Sequence, residues 1–301
     1  MRVFVTGVNG QLGHDVLLEL RQRGHEAIGS GSGSAYTAED AGKLCAFEQL
    51  NITDKAAVEE KIAALQPDAI IHCSAWTAVD AAEEEDNKPR VYALNVSGTE
   101  NLAKAARGVG AKMLYLSTDY VFSGKGTEPW EADCEDFAPL NYYGETKLLG
   151  EKALRENCDK AFIVRTAWVF GKNGKNFVRT MINVGKTHDS VRVVNDQIGT
   201  PTYTKDLAVL LCDMIESDSY GTYHATNEGG YISWYDFCVE FYRQYGLSTA
   251  VIPVTTEEYG LSKAVRPENS RLDKSKLTQN GFTPLPDWKN AVKRYLEEAA
   301  L

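Results

Sequence analysis

Arg2-Val3-Phe4-Val5-Thr6-Gly7-Val8-Asn9-Gly10-Gln11-Leu12-Gly13 opens the chain with an apolar, β-branched run that breaks at once into glycines. After Gly13, apolar residues recur at helical spacing (Val16, Leu17, Leu20), Arg21 and Arg23 take the other side, and Gly24 ends the pattern. A strand, a glycine loop and a helix in that order form the setting of a dinucleotide fingerprint, here spaced Gly-x-x-Gly-x-x-Gly. Gly7, Gly10 and Gly13 allow the tight turn and let backbone approach a pyrophosphate, whose charge then rests on the helix N-terminus.

Beyond this stretch, strand and helix patterns keep alternating. Glu26-Ala27-Ile28 predicts the second strand, and it runs into Gly29-Ser30-Gly31-Ser32-Gly33-Ser34, a loop with no acid. An NAD-selective site places a carboxylate on the ribose 2′-hydroxyl there. With Ser30 in that place, nothing repels a 2′-phosphate, and amides with serine hydroxyls suit one. A third strand is expected from Cys45 to Leu50, then a helix through Leu65 capped by Thr53 or Asp54. Ala69-Ile70-Ile71-His72-Cys73 reads as a central parallel strand, with Ser74-Ala75-Trp76-Thr77 at its carboxyl end, where open α/β sheets bind ligands. His72 reads as a core residue. Glu83 to Asp86 reads as a solvated, acidic helix start, and Val91 to Val109 as a helix.

Met113-Leu114-Tyr115-Leu116-Ser117 is a further buried strand, releasing Thr118-Asp119-Tyr120 at its end, and Ala161-Phe162-Ile163-Val164-Arg165 is a sixth. The alternation predicts an α/β fold, a doubly wound parallel sheet of Rossmann type. The expected division is a dinucleotide-binding domain over 1–165. The segment 166–301 is then mainly substrate-binding, interleaved so that some segments return to the sheet.

Between those two strands lies Tyr143-Gly-Glu-Thr-Lys147. On a helix, i and i+4 share a face, so Tyr143 and Lys147 can approach one substrate together. A nearby ammonium favours the phenolate and lowers the phenol's pKa, which suits proton transfer near neutral pH.

Composition narrows the functional classes. With 43% apolar and 25% charged residues in 301, the chain is an ordinary globular protein with room for a full core. A net charge of −10 argues against a nucleic-acid partner, which needs a basic stripe, and obliges any anionic ligand to find local positive groups. No apolar run approaches the 18 or so residues of a membrane span, and a strand starting at Met1 leaves no room for a leader. The six cysteines have no Cys-x-x-Cys spacing and the five histidines are scattered, so neither disulfides nor a metal site is indicated. The expected location is the cytoplasm.

Taken together, Gly7/Gly10/Gly13, Ser117-Thr118-Asp119 and Tyr143/Lys147 resemble the extended short-chain dehydrogenase/reductase family over essentially the whole chain. Finer features lie in Ser117 to Phe122, Arg165-Thr166-Ala167-Trp168-Val169-Phe170-Gly171, Gly199-Thr200-Pro201-Thr202 and Arg266-Pro267 through Asp273. These are similar to members that reduce a nucleotide-linked 4-keto sugar for cell-surface polysaccharide. The resemblance implies hydride transfer from NADPH or NADH to the C4 carbonyl of dTDP-4-dehydro-L-rhamnose, with Tyr143 as proton donor. By position, Gly10, Gln11 and Leu12 would hold the pyrophosphate, Asn51 and Ile52 would lie near the adenine, and Ala75, Trp76 and Thr77 would line the cofactor. Lys147 would bond the nicotinamide ribose and depress the tyrosine pKa. Thr118 would bond the substrate oxygen, and Asp119, Tyr120 and Trp168 would contact the sugar.

Some members dimerise around magnesium through clustered glutamates. Asp15, Glu297 and Glu298 are the corresponding acids, and they match too loosely for a metal to be assigned; a homodimer is the expected assembly. Sugar-nucleotide dehydratases of the family carry Asp then Glu after the threonine, whereas Asp119 is followed by Tyr120. Two other readings stay open: a reductase or epimerase of another nucleotide-sugar, and a non-catalytic regulatory subunit like those that bind methionine adenosyltransferase. An intact Thr118/Tyr143/Lys147 set speaks against the last, since a binding partner has no physical need for it.

Overall fold

The strand pattern of the first half closes into one sheet. In the computed structural model, which describes residues 1–37 and 45–299, seven strands lie side by side, every neighbouring pair parallel. Arg2–Thr6 (β1) is central, with Glu26–Gly31 (β2) and Ala46–Gln49 (β3) on one side of it. Ala69–His72 (β4), Lys112–Thr118 (β5), Ala161–Thr166 (β6) and finally Gly221–His224 follow on the other. The order reverses between β1 and β4, so their carboxyl ends part and leave a crevice there.

Alternation along β1 decides the layers. Val3 and Val5 pack with Val16, Leu17 and Leu20 of Gln11–Gln22 (α1) and with Leu207 and Leu211 of the Thr204–Glu216 helix. Phe4 faces the other way, into a core with Ile70, Met113, Ile62 and Leu102. Both faces being covered, the strands read as continuous apolar runs, as a parallel sheet requires. The Thr204–Glu216 helix and the Gly221–His224 strand come from the second half of the chain, so the later segments do return to the sheet. A third, aromatic core of Phe170, Phe237, Phe241, Trp288 and Tyr295 belongs to the second half alone.

Several boundaries differ from those expected. α1 begins at Gln11, inside the glycine loop, with Gly10 as its N-cap. β2 continues to Gly31, because two glycines beside Ser30 do not stop the ladder to β1, where Thr6 pairs with Ser30. The helix expected over Val91 to Val109 is Lys88–Tyr92 and Gly98–Val109, joined by a π-helical turn at Ala93–Ser97. Such turns arise where a side chain must be re-aimed, and Asn95 here accepts from Trp76 N–H (2.8 Å) and donates to Thr146 (3.0 Å). Asp54, not Thr53, caps the Lys55–Leu65 helix. His72 is buried in the core as expected, between Thr6 and Thr99. Among the described residues, no helix is long and apolar enough to cross a membrane.

Gly13 fixes how closely α1 approaches the β1 turn, since a Cβ there would lie 2.4 Å from the Gly7 carbonyl oxygen. Neither group is a flexible tip, so the backbone itself must move. Gly13→Ala should therefore destabilise the fold by about 1–3 kcal/mol, the usual cost of overpacking, seen as a lowered melting temperature. An unchanged melting temperature would contradict this packing.

Candidate active site

The crevice at the β1/β4 switch opens into a cleft of about 790 Å³. That is towards the upper end of ordinary ligand clefts, about 300–1,000 Å³. Its floor is the glycine loop: Gly7, Gly10, Gln11, Leu12 and Gly13 all line it. Gly10 offers no side chain to cap α1, so the first amides of that helix meet the cleft without a side-chain cap among the described residues, a setting that fits a pyrophosphate. Asn51 and Ile52 line one end, with Gly31, Ser32 and Gly33 beside them; Ala75 and Thr77 line the wall from β4.

Two expected residues are elsewhere. Ser30 has no exposed surface, and its hydroxyl finds no partner among the described residues. The strand runs three residues beyond Ile28, to Gly31, so Ser30 is held in the ladder with its side chain buried, while Ser32 past the strand end lines the cleft. Trp76 is also absent from the lining. Its indole N–H donates to the Ala78 carbonyl (3.0 Å) and its ring lies against Arg90, while Ala75 and Thr77 on either side of it reach the cleft.

At the other end, β5 releases Thr118 and the short turn Asp119–Val121. The Tyr142–Asn157 helix packs across them, with Asn141 as its N-cap and Glu83 accepting the Tyr142 N–H at 2.7 Å. Glu83, from the acid run expected to face solvent, thus serves the positive end of this helix. Gly144 makes the approach possible, because a Cβ there would stand 2.3 Å from the Tyr120 carbonyl oxygen. Thr118, Asp119, Tyr120, Tyr143, Lys147 and Trp168 all line this end. Thr118 donates to Asp119 (3.0 Å) and accepts from the Tyr120 N–H (3.2 Å), and the Tyr120 and Tyr143 rings meet edge to face at 5.8 Å.

The electrostatics correct the expectation of an activated phenolate. Burial, and then the Asp119 charge, raise the Tyr143 pKa well above its ordinary value, against the Thr118 hydrogen bond. Lys147 does not offset this: its ammonium sits 4.0 Å from the Tyr115 ring centroid, and burial brings its pKa down to about 7 against the pull of Glu151. Tyr143 is therefore a neutral phenol with a proton to give. Burial pushes Asp119 up to about 6, and one of its oxygens lacks a partner among the described residues.

Three features of the cleft escaped the sequence. Asn173, Gly174 and Lys175 fold over the glycine loop, where the Asn173 amide donates to the Asn9 and Gly10 carbonyls at 3.2 Å. Lys175 and Lys147 are the cations among the lining residues described. Phe177 and Trp234 line the sugar end beside Trp168. Trp168 itself has φ 51°, a left-handed backbone that costs a bulky residue about 1–3 kcal/mol. Two of the acids considered for magnesium are engaged elsewhere: Asp15 accepts from Thr204, and Glu298 from Tyr203 and Lys205. Among the described residues, no group of three or more His, Cys, Asp or Glu side chains gathers.

With this geometry in hand, residues 1–301 match the family model described as the RmlD substrate binding domain. The chain belongs to that family. It is 39% identical to the spore coat polysaccharide biosynthesis protein SpsK of Bacillus subtilis, over 99% of this chain and 97% of that one. It is 41% identical to a dTDP-4-dehydrorhamnose reductase of Streptomyces griseus, over 97% of this chain and 91% of that one. A dTDP-4-dehydrorhamnose reductase of Bacillus anthracis, solved in complex with NADP, superposes with a TM-score of 0.89 at 39% identity, covering 99% of each chain. The family is a nicotinamide-dependent reductase family, and the glycine-loop cleft is the part of this chain that fits the cofactor.

Two predictions follow from the site. Ser32→Asp should weaken NADPH binding by at least about tenfold through like-charge repulsion while sparing NADH. Ser30→Asp should instead lower stability, since it buries a carboxylate without a partner. Titration of both cofactors and thermal unfolding separate the two, and loss of NADPH affinity from Ser30→Asp in a stable protein would contradict the assignment. Stability should also fall as pH rises from about 4 to about 6. The folded state holds a proton on Asp119 and on Asp15, each raised to about 6, that the unfolded chain has already released. Asp119→Asn should flatten that slope in denaturant titrations.

Proposed function

We propose that the chain reduces the C4 carbonyl of dTDP-4-dehydro-L-rhamnose, with hydride from NADPH or NADH, to give dTDP-L-rhamnose for a surface polysaccharide. The observation that carries this reading is that Thr118, Tyr143 and Lys147 line one end of a cleft whose other end is the glycine loop. Bound nicotinamide supplies the hydride. Tyr143, kept neutral by burial, holds its proton until negative charge develops on the carbonyl oxygen, and then gives it up. Thr118 is the second donor at that oxygen once its hydroxyl turns from Asp119 to the bound sugar. Such donors lower the barrier because they are in place before the charge appears. Lys147, its pKa brought down to about 7, bonds the nicotinamide ribose. Gln11, Leu12 and the glycines hold the pyrophosphate, Asn51 and Ile52 the adenine end, and Ala75 and Thr77 the wall between. Asp119, Tyr120 and Trp168 contact the sugar.

Residues 1–165 then chiefly hold the cofactor and 166–301 chiefly the sugar nucleotide. A homodimer and a cytoplasmic location belong to the same proposal. A dehydratase on this fold is disfavoured by Tyr120, because burial and Asp119 drive its phenol further above its ordinary pKa and leave it a poor base.

NADPH should be consumed one for one with dTDP-4-dehydro-L-rhamnose and more slowly with other 4-keto sugar nucleotides. Dehydration of dTDP-glucose to a 4-keto product, read by its absorbance in strong base, would overturn the reductase reading. Tyr143→Phe should leave NADPH binding intact and lower kcat by roughly two to four orders of magnitude. A variant within about threefold of wild type would remove Tyr143 from the donor role.

A further inference from the structure

Three aromatic rings meet where the second half of the chain closes the cleft. Trp168 and Trp234 stack with centroids 3.9 Å apart and planes within 19°, Phe177 meets Trp234 edge-on at 4.6 Å, and all three line the cleft. Trp168 stands two residues beyond Thr166, which pairs with Thr118 across the sheet, so the stacked indoles stand beside the proton-donating end. Its left-handed backbone is sparsely populated for a bulky residue and needs outside support to persist. On the main chain, the Thr202 N–H donates to the Trp168 carbonyl at 3.2 Å. On the side chain, the stacked Trp234 ring supplies support beside the Val121, Phe122, Ala167 and Leu272 cluster against which Trp168 also packs.

Trp234 is the first residue of the Trp234–Tyr245 helix, whose buried face consists of Phe237, Cys238, Phe241 and Tyr242. Those residues anchor the helix by themselves, and Trp234 remains half-buried with its ring toward the cleft. A large apolar ring left partly open at a polar site gains most from a ligand that is apolar on one face. A pyranose presents C–H bonds on its faces and hydroxyls around its edge, and rigid aromatic surfaces bury such a face at small entropic cost.

We propose that Trp234 is a positioning residue for the sugar: by stacking on Trp168 it holds that indole as a fixed wall for the pyranose ring, with no part in binding the nucleotide. The inference rests on the reductase reading. Its test therefore uses two ligands differing only in the sugar, dTDP-L-rhamnose and dTDP, titrated calorimetrically into the NADP⁺-loaded protein. Trp234→Leu keeps apolar bulk without a ring, and Trp234→Phe restores a ring. Trp234→Leu should weaken dTDP-L-rhamnose by about tenfold, the size of a lost aromatic contact, with dTDP unchanged within about twofold. Trp234→Phe should recover most of the loss. In steady state, KM for the sugar nucleotide should rise while KM for NADPH stays the same. Equal weakening of both ligands, or none, would overturn the inference alone. A wild-type protein that binds dTDP-L-rhamnose no better than dTDP would overturn the sugar reading of the cleft and this inference with it.

Discussion

Glu151 and Arg165 form an ion pair that neither shares with solvent, and the reactive end of the cleft is assembled around it. Both guanidinium contacts to the carboxylate are 2.8 Å, and the two side chains are no more than 1% exposed. Burying two charges costs several kcal/mol per ion, so this pair does not exist simply to stabilise the fold. Its use is geometric. Glu151 also accepts from Ser117, the residue before Thr118, while Arg165 donates to the Ala132 carbonyl and lies beside the stacked Phe122 and Phe137 rings. One salt bridge therefore ties together the Tyr143 helix, the ends of β5 and β6, and the loop between them. Removing either partner would leave an uncompensated charge at the point where all four meet, a loss of about 3–5 kcal/mol.

The same helix carries Tyr143, Lys147 and Glu151 at successive four-residue steps, so three ionisable groups share one buried face. Burial treats them differently. It keeps the phenol neutral and makes the ammonium easier to deprotonate, while the carboxylate is met by Arg165 at 2.8 Å and by Arg155 at 3.1 Å. A donor held neutral by desolvation needs no cationic neighbour to be competent. Tyr143 and Lys147 both line the cleft, as their spacing suggests, but the packed helix does not display the electrostatic coupling expected between them.

What was legible in the sequence is what depends on local spacing. Glycines at residues 7, 10 and 13, the polar residues where apolar strands stop, and an i, i+4 pair all keep their meaning wherever the chain goes. Ser30 and Trp76 show the limit of that reading. Each lies within two positions of a residue that does line the cleft, and a single step along an extended chain turns a side chain to the opposite side. Phe177, Trp234 and the Asn173–Lys175 turn carry no local signal. They come from the irregular second half and become part of the site only through tertiary contacts.

Those tertiary contacts also answer the problem posed by a net charge of −10. A protein so acidic must supply its positive field locally if it is to hold a dinucleotide and a nucleoside diphosphate in one cleft. Here the N-terminus of α1 supplies it from the first half of the chain and Lys175 from the second. The two are locked in register by Asn173 on the Asn9 and Gly10 carbonyls, by Asn176 on Gln11 at 3.0 Å, and by Thr204 on the buried carboxylate of Asp15 in α1. The later segments are thus bound to the glycine loop itself as well as to the edge of the sheet. A cleft built this way places its two sources of positive charge by the same bonds that join the halves of the chain, so packing and ligand electrostatics are set together.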